Sequence, residues 1–133
     1  MHSSERLVRD FYEAQGRYYA GEGSAEAVES FLSNGIEWHV PGRSPIAGDY
    51  RGKQAVLDYF ARRRDKAGGS LRIEVQRTLA GRELVMQLAR GRAELGGAVH
   101  EWDTVGVYRV AEGRIAECWL VPFDQYEFDE IWS

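Results

Sequence analysis

The spacing of apolar residues changes near residue 70, and this change limits what the chain can fold into. Before that point apolar side chains recur close to the helical period, as at Leu7, Phe11 and Tyr18. After it, apolar and polar residues alternate, as in the stretch from Leu71 to Gln76, which is the pattern of a half-exposed strand. The sequence therefore predicts a mainly helical first half followed by a sheet.

Glycines and other turn residues mark where these elements end. Helices are predicted over 5–20, 25–32 and 53–67, since glycine follows each apolar stripe. A short strand over 36–40 precedes a loop over 42–52. Later strands are predicted over 71–80, 83–95 and 98–110, with a last one ending near 123 and a short helix or cover segment after it.

The order of these elements indicates an α+β fold. We expect a cone-shaped, curved antiparallel sheet with three N-terminal helices packed on its concave face. A chain of 133 residues has room for one such core, so residues 1–133 are predicted to form a single domain. A cone has an open end, where we expect a small-molecule pocket.

The charge distribution argues against a nucleic-acid partner. The formal net charge is -4, and Lys and Arg are scattered, so a surface that attracts phosphates is missing. The one basic run, Arg62-Arg63-Arg64 followed by Lys66, falls at the end of a predicted helix, where cations meet the last carbonyls. We therefore interpret this run as a solvated helix end.

The remaining composition limits location and cofactors. Cys118 is the only cysteine, which excludes an intramolecular disulfide and a Cys-based zinc cluster. The sequence contains no apolar run suited to a signal peptide or a membrane span, so we expect a cytoplasmic protein without a membrane partner. It also lacks H-x-H and H-E-x-x-H spacings and a Gly-rich phosphate loop, so we predict no metal and no cofactor.

Two segments carry a resemblance to a known family. They are IEWHVPGRSPIAGDYRGKQAVLDYF (36–60) and VYRVAEGRIAECWLVPFDQYEFDEIW (107–132). Their specific features are a strand ending in Pro-Gly, the spacing of Gly48 and Gly52, and a V-x-R-V-x-x-G-R-I hairpin leading into a Trp. With the order of elements, they resemble the nuclear transport factor 2-like superfamily over essentially the whole chain, and within it the SnoaL-like, polyketide cyclase-like branch.

The resemblance has consequences for shape, assembly and activity. It implies a cone-shaped fold with a small-molecule cavity between sheet and helices, and commonly a homodimer through the outer face of the sheet. It does not imply one reaction, because the superfamily includes isomerases, cyclases, dehydratases, epoxide hydrolases and non-enzymatic binding modules.

Most catalytic residues of the relatives are replaced at the matching positions. The Asp base of ketosteroid isomerases corresponds to Val40 here, and the Asp of their oxyanion hole corresponds to Val105 or Gly106. The Tyr of that oxyanion hole is retained as Tyr12 if the first helix is one turn longer here than in the isomerases. The acid of SnoaL-like cyclases corresponds to Leu120, and their His to Gly106. The chain thus resembles the family in its cavity and departs from both acid-base sets.

Two groups remain as candidates for proton transfer. His39 lies near the open end of the cone and can exchange a proton near neutral pH. Alternation places its side chain on the face of the strand opposite to that of Trp38 and Val40, unless a bulge before Pro41 reverses its direction. The strand over 98–110 has two possible registers. In one, Trp102, Thr104 and Gly106 point inward and His100 lies toward the rim. In the other, Asp103 points inward, and desolvation would raise the pKa of its carboxyl group.

Large aromatic residues are candidates for the wall of a ligand site. Trp38, Tyr50, Trp102 and Trp119 together suggest such a wall, although each alone is more typical of a core. With Val40 and Leu120 at the family's catalytic positions, these residues are the predicted substrate-binding set.

These observations support one main hypothesis and one alternative. The first is a small-molecule pocket protein that acts as a cofactor-independent acid-base enzyme, an isomerase, cyclase or dehydratase, on an apolar cyclic or polyketide-like metabolite. Tyr12 would donate a hydrogen bond, and His39 or Asp103 would transfer the proton. The alternative is a non-catalytic ligand-binding or dimerisation module, which the replacement of both acid-base sets favours.

Overall fold

The computed structural model describes residues 2–133, which form four helices and six strands. In chain order these are α1 (Ser3–Tyr19), α2 (Ala25–Glu29), β1 (Leu32–Val40), β2 (Gly48–Arg51), α3 (Lys53–Ala67), β3 (Arg72–Ala80), β4 (Leu84–Leu95), β5 (Ala98–Ala111), β6 (Arg114–Pro122) and α4 (Gln125–Ile131). Within these residues, no helix combines the length and the apolar character needed to cross a membrane.

Two elements differ in extent from the sequence-based expectation. The second helix ends before the predicted residue 32, because Leu32 already pairs with Ile115 of β6 and so belongs to β1. The predicted loop over 42–52 contains β2, whose backbone pairs with β1, including Tyr50 opposite Trp38. In both segments, pairing with neighbouring strands thus overrides the secondary structure that the local sequence favours.

The six strands form one mixed sheet in the order β2-β1-β6-β5-β4-β3. All neighbouring strands are antiparallel except β1 and β6, which are parallel. This pair is parallel because the last strand of the β3–β6 meander returns beside β1 instead of following it through a hairpin. The α+β class with a curved sheet and helices is confirmed, with this one parallel pair added to the expected antiparallel arrangement.

Side-chain alternation gives the sheet an inner and an outer face. On β5, Trp102, Thr104 and Tyr108 are buried, and Gly106 lies on the same face. The residues between them, such as Asp103, lie on the opposite face. Of the two registers left open by the sequence, the structure has the one in which Gly106 faces inward.

The helices cover the inner face and build the core with it. Helices α1 and α3 pack on the sheet, and α2 packs mainly on those two helices. Phe11 of α1 is fully buried, with its ring centroid 5.9 Å from that of Trp38 and 6.2 Å from those of Phe60 and Tyr108. These four rings come from α1, β1, α3 and β5, so Phe11 joins both large helices to the sheet.

Replacement of Phe11 by alanine is expected to lower the free energy of unfolding by about 3–5 kcal/mol, the usual cost of emptying a buried aromatic site. Urea denaturation followed by circular dichroism measures this loss. The matched control is Tyr126→Ala, because the Tyr126 side chain is 90% exposed and its removal should change stability by less than about 0.5 kcal/mol. Equal losses in the two variants would contradict the central packing role of Phe11.

Candidate functional site

An inner cavity lies between the sheet and the two large helices. Helix α1 contributes Tyr12 and Gln15 to its lining, α3 contributes Tyr59 and Arg63, and the strands contribute the remainder. The centre of a water molecule can occupy about 30 Å³ of this cavity. Since one water requires about 10–15 Å³ by this measure, the cavity has room for a group of only a few atoms.

A pair of tyrosines forms one side of the cavity. The hydroxyl oxygens of Tyr12 and Tyr108 are 2.5 Å apart, and their rings meet edge to face. Burial raises the pKa of both phenols, so both remain neutral near neutral pH. Because one hydroxyl donates to the other, the accepting hydroxyl keeps its own proton available for a ligand.

Glycines leave the space that these aromatic side chains occupy. A methyl group on Gly106 would lie 2.8 Å from the ring of Tyr108 and 3.0 Å from the Tyr12 hydroxyl. A methyl group on Gly91 would lie 2.3 Å from the indole of Trp102. Gly106, at the position where the cyclases have a His, therefore gives room to the tyrosine pair.

The predicted aromatic wall is only partly present in the cavity. Trp38, Trp102 and Leu120 line it. Val40 is buried in the core beyond this lining, and Tyr50 lies behind Tyr59, with 4.7 Å between their ring centroids.

Trp119 lies on the outer face of the sheet, against His39. Along β6, Cys118 is fully buried, so alternation directs the next side chain outward. The ring centroids of Trp119 and His39 are 5.8 Å apart, and the two rings are stacked. Trp119 is therefore not part of the cavity wall in which the sequence placed it.

His39 likewise does not face the cavity, contrary to its predicted catalytic position. No bulge reverses β1 before Pro41, because Trp38, His39 and Val40 pair in continuous register with β2. His39 Nδ1 is 2.7 Å from Asp49 Oδ1, and its Nε2 is 2.7 Å from Glu117 Oε2. The imidazole is thus held between two carboxylates on the outer face.

Asp103 is also outside the cavity. Its carboxylate accepts a hydrogen bond of 3.1 Å from Arg90 Nε, and both side chains line a surface pocket of about 330 Å³ with Glu101 and Asp124. The opposite register would have buried Asp103, but the inward position is taken by its neighbour Trp102. The structure therefore does not bring His39 or Asp103 together with Tyr12.

The surroundings of His39 perturb two pKa values. Burial lowers the pKa of His39, but its hydrogen bonds with Asp49 and Glu117 outweigh this effect, so the pKa lies above its ordinary value. Burial raises the pKa of Glu117, but hydrogen bonds from His39 and Arg109 outweigh it and lower the pKa. An imidazolium between carboxylates is the state that this geometry favours.

The same cluster offers ligand atoms for a cation. One ligand atom from each of Glu37, His39 and Glu117 lies within 4.8 Å of the other two. Each is already engaged, however: Glu37 accepts from Arg51, and both ring nitrogens of His39 meet carboxylates. The cluster is accounted for by these ion pairs.

Arg63 is one of the cavity residues that the sequence interpretation missed, together with Gln15 and Tyr108. It was included in a basic run interpreted as a solvated helix end, but its side chain is buried. The spacing of the buried positions in α3, namely Val56, Tyr59, Phe60, Arg63 and Ala67, places it on the apolar stripe. This periodicity, applied to the basic run, is the signal by which Arg63 could have been found.

A groove on the surface adjoins the cavity. Tyr12 and Ile73 line both, so the two spaces are neighbours, with these side chains between them. The groove offers about 460 Å³ and is bordered by Arg9, Glu13 and Val75, among others. It is large enough for the body of a metabolite, which the inner cavity is not.

The curved sheet with helices on its inner face defines the nuclear transport factor 2-like fold. Over residues 8–118 the chain matches the family described as the SnoaL-like domain. Because this match covers most of the chain, the protein belongs to the SnoaL-like domain family, and the resemblance found in the sequence is confirmed.

Solved structures show the same fold over the whole chain. Bal32a, from a soil-derived mobile gene cassette, is 27% identical with a TM-score of 0.89, covering 98% of this chain and 97% of that one. A nuclear transport factor 2-like protein from Burkholderia pseudomallei is 18% identical with a TM-score of 0.84, covering 100% and 99%. TerC, co-crystallised with polyporic acid, is 16% identical with a TM-score of 0.80, covering 97% of each chain. No curated protein sequence matches this chain.

The raised pKa of His39 leads to a prediction about stability and pH. A group whose pKa is higher in the folded state contributes fully below its unfolded value of 6.5, and this contribution is lost as pH rises through the folded value. We therefore expect the stability advantage of the wild type over His39→Gln to decrease from pH 6 to pH 9. Urea denaturation at each pH measures the difference.

Two controls accompany this measurement. His100→Gln changes a histidine outside the cluster and should leave the pH dependence of stability as in the wild type. Repetition in high salt should reduce the effect, because Asp49 is 65% exposed and its interaction is screened. A difference between wild type and His39→Gln that stays constant with pH would contradict the assignment.

Proposed function

We propose that the protein binds a small, largely apolar, cyclic or polyketide-like metabolite whose polar end enters the inner cavity. The observation that carries this proposal is a set of buried hydrogen-bonding groups without protein partners. Trp38 and Tyr59 line the cavity, and the indole nitrogen of the first and the hydroxyl of the second are buried without a partner among residues 2–133. A buried donor without an acceptor costs about 1–3 kcal/mol, and a ligand oxygen would relieve that cost.

The two adjoining spaces suit the two parts of such a ligand. Sites for small organic molecules usually measure about 300–1,000 Å³. The groove between α1 and β3 lies in that range, while the inner cavity accepts only a small polar group. Another protein with this fold, TerC, was co-crystallised with an organic compound, polyporic acid. The ligand body would therefore occupy the groove and its oxygen the cavity.

A second candidate is cofactor-independent acid-base catalysis, as in an isomerase, cyclase or dehydratase. The tyrosine pair favours it, because Tyr12 or Tyr108 could donate a hydrogen bond to an enolate oxygen that forms when a neighbouring C–H bond loses its proton. That proton needs a base, and His39 and Asp103 lie on the outer face. Within residues 2–133, the lining of the inner cavity contains no carboxylate or imidazole that could accept it, so binding is the function we propose first.

α-Tetralone, a cyclic aromatic ketone, is a suitable probe for both candidates. We expect it to shift backbone amide resonances around the cavity, and we expect Tyr12→Phe to weaken its binding about 2- to 10-fold through loss of one hydrogen bond. Titration followed by nuclear magnetic resonance measures both effects. Tyr126→Phe is the matched control, since it deletes a hydroxyl from a tyrosine that is exposed to solvent.

The same probe separates binding from catalysis. After long incubation in D₂O, an unchanged ketone mass supports a binding protein, whereas faster uptake of deuterium next to the carbonyl, slowed in Tyr12→Phe, supports the enzyme. Catalysis that depends on His39 or Asp103 would restore the role first predicted for them. No binding by the wild type would contradict the proposed function.

We further propose that two copies of the chain associate through the outer face of the sheet. This face carries two rows of apolar side chains across β3–β6: Leu79, Met86, Val107 and Trp119 in one, and Leu88, Val105 and Val121 in the other. The Arg109–Glu117 and Arg90–Asp103 pairs border it on either side. An exposed apolar patch with a charged rim is typical of an interface, and a twofold axis through it would cover both copies.

Light scattering should therefore give a mass twice the 15.1 kDa of one chain. Val107→Asp places a charge in the middle of the patch, between Met86 and Trp119, and should reduce the mass to that of one chain. Val99→Asp is the control, because Val99 is exposed at the far end of β5, beside the Gly96-Gly97 turn. A wild type with the mass of one chain would refute the association.

A further inference from the structure

Arg63 is a buried cation that faces the inner cavity. Its residue is only 5% exposed, although arginine is almost never fully buried without a partner. It lies near the end of α3 (Lys53–Ala67), where the helix dipole favours positive charge, and its side chain lines the cavity. The guanidinium retains its charge even when buried.

The protein surrounds this charge with aromatic rings. The guanidinium carbon is 4.9 Å from the ring centroid of Trp132 and 5.5 Å from those of Tyr19 and Tyr59. One of its amino groups donates a hydrogen bond of 3.2 Å to the Tyr19 hydroxyl. These contacts hold the guanidinium in position and partly stabilise it, but ring faces do not neutralise its charge.

A negative partner is missing among the described residues. The ion pairs within residues 2–133 involve other basic side chains, and none joins Arg63 to a carboxylate. Buried charges are normally paired, because removing an ion from water is costly. Arg63 Nε also has no hydrogen-bond acceptor. The site therefore lacks a counter-charge for the guanidinium and an acceptor for its Nε.

The other unpaired groups of the cavity also need a hydrogen-bond acceptor. Trp38 Nε1 can only donate a hydrogen bond, and Arg63 Nε can only donate as well. Burial raises the pKa of the Tyr59 phenol, so it remains protonated and able to donate. A single small cavity is thus lined by three residues that each hold a buried donor without an acceptor, and one of them, Arg63, also carries an unpaired positive charge.

We propose that this cavity binds the anionic oxygen group of the ligand, a carboxylate or another planar oxyanion, with Arg63 as its counter-charge. A planar anion matches the fork of a guanidinium and accepts from the neighbouring donors. The inference rests on the proposed small-molecule function and assigns the chemical class of the ligand's polar end. It makes Arg63 the residue that selects acidic ligands over neutral ligands of the same shape.

Benzoate and benzamide provide the direct test, since they share a ring and differ in the charge of a planar group of similar size. The purified full chain is titrated with each compound near neutral pH, in a buffer free of other carboxylates, by calorimetry or indole fluorescence. We expect the wild type to bind benzoate about 10-fold or more tightly than benzamide, as for a charge-assisted hydrogen bond. Arg63→Met should lose the preference, with the affinity for benzoate falling to about that for benzamide.

The matched control is Arg64→Met, which makes the same change in charge one residue later on α3, at a half-buried side chain outside the cavity lining that pairs with Asp65 and lies over the Tyr18 ring. It should retain the full preference for benzoate. Should Arg63→Met fail to fold by circular dichroism, Arg63→Lys keeps the charge but loses the planar fork, and should bind benzoate more weakly with some preference remaining. The comparison in the wild type requires no variant.

The outcomes distinguish this inference from the proposed function. Equal affinity of the wild type for benzoate and benzamide would overturn the anionic site and leave small-molecule binding intact, with Arg63 then serving to pack the aromatic rings. A benzoate preference that persists in Arg63→Met would likewise overturn it. Binding of neither compound would overturn both the inference and the proposed function.

Discussion

The packing of Phe11 is the interaction on which the arrangement of the cavity depends. Its ring lies among those of Trp38, Phe60 and Tyr108, and thereby sets the distance of α1 from β1, α3 and β5. Because Tyr12 follows directly in the helix, its hydroxyl is brought to that of Tyr108. Phe11 makes the core contact and Tyr12 is the candidate ligand contact. Because the two residues are consecutive, the close packing around Phe11 also holds Tyr12 in position.

The two faces of the sheet divide the polar groups by chemistry. The outer face holds ion pairs in which His39 and Asp103 already have charged partners. The inner face and helices present neutral phenols, indoles and one guanidinium. Since a carboxylate or imidazole is absent from the described lining, recognition of a ligand oxygen is better supported than proton abstraction by the protein.

The buried polar groups also suggest a compromise between stability and function. Unpaired donors and an uncompensated cation make the free protein less stable than an apolar core of the same shape would. Proteins commonly accept such costs at binding sites, where the ligand completes the missing interactions. Arg63, Trp38 and Tyr59 fit this description, because each lines the cavity and each leaves a buried polar atom without a partner.

The sequence by itself determined the class of fold and the inward positions of Trp38 and Val40, since helical spacing, alternation and turn residues are local properties. Only the tertiary structure decided the register of β5, the absence of a bulge that would have turned His39 inward, the outward position of Trp119, and the burial of Arg63. Register depends on which strands pair, and a one-residue shift exchanges the faces. The burial of Arg63 depends on rings from α1, α3 and the C-terminal segment, which meet only in the folded chain.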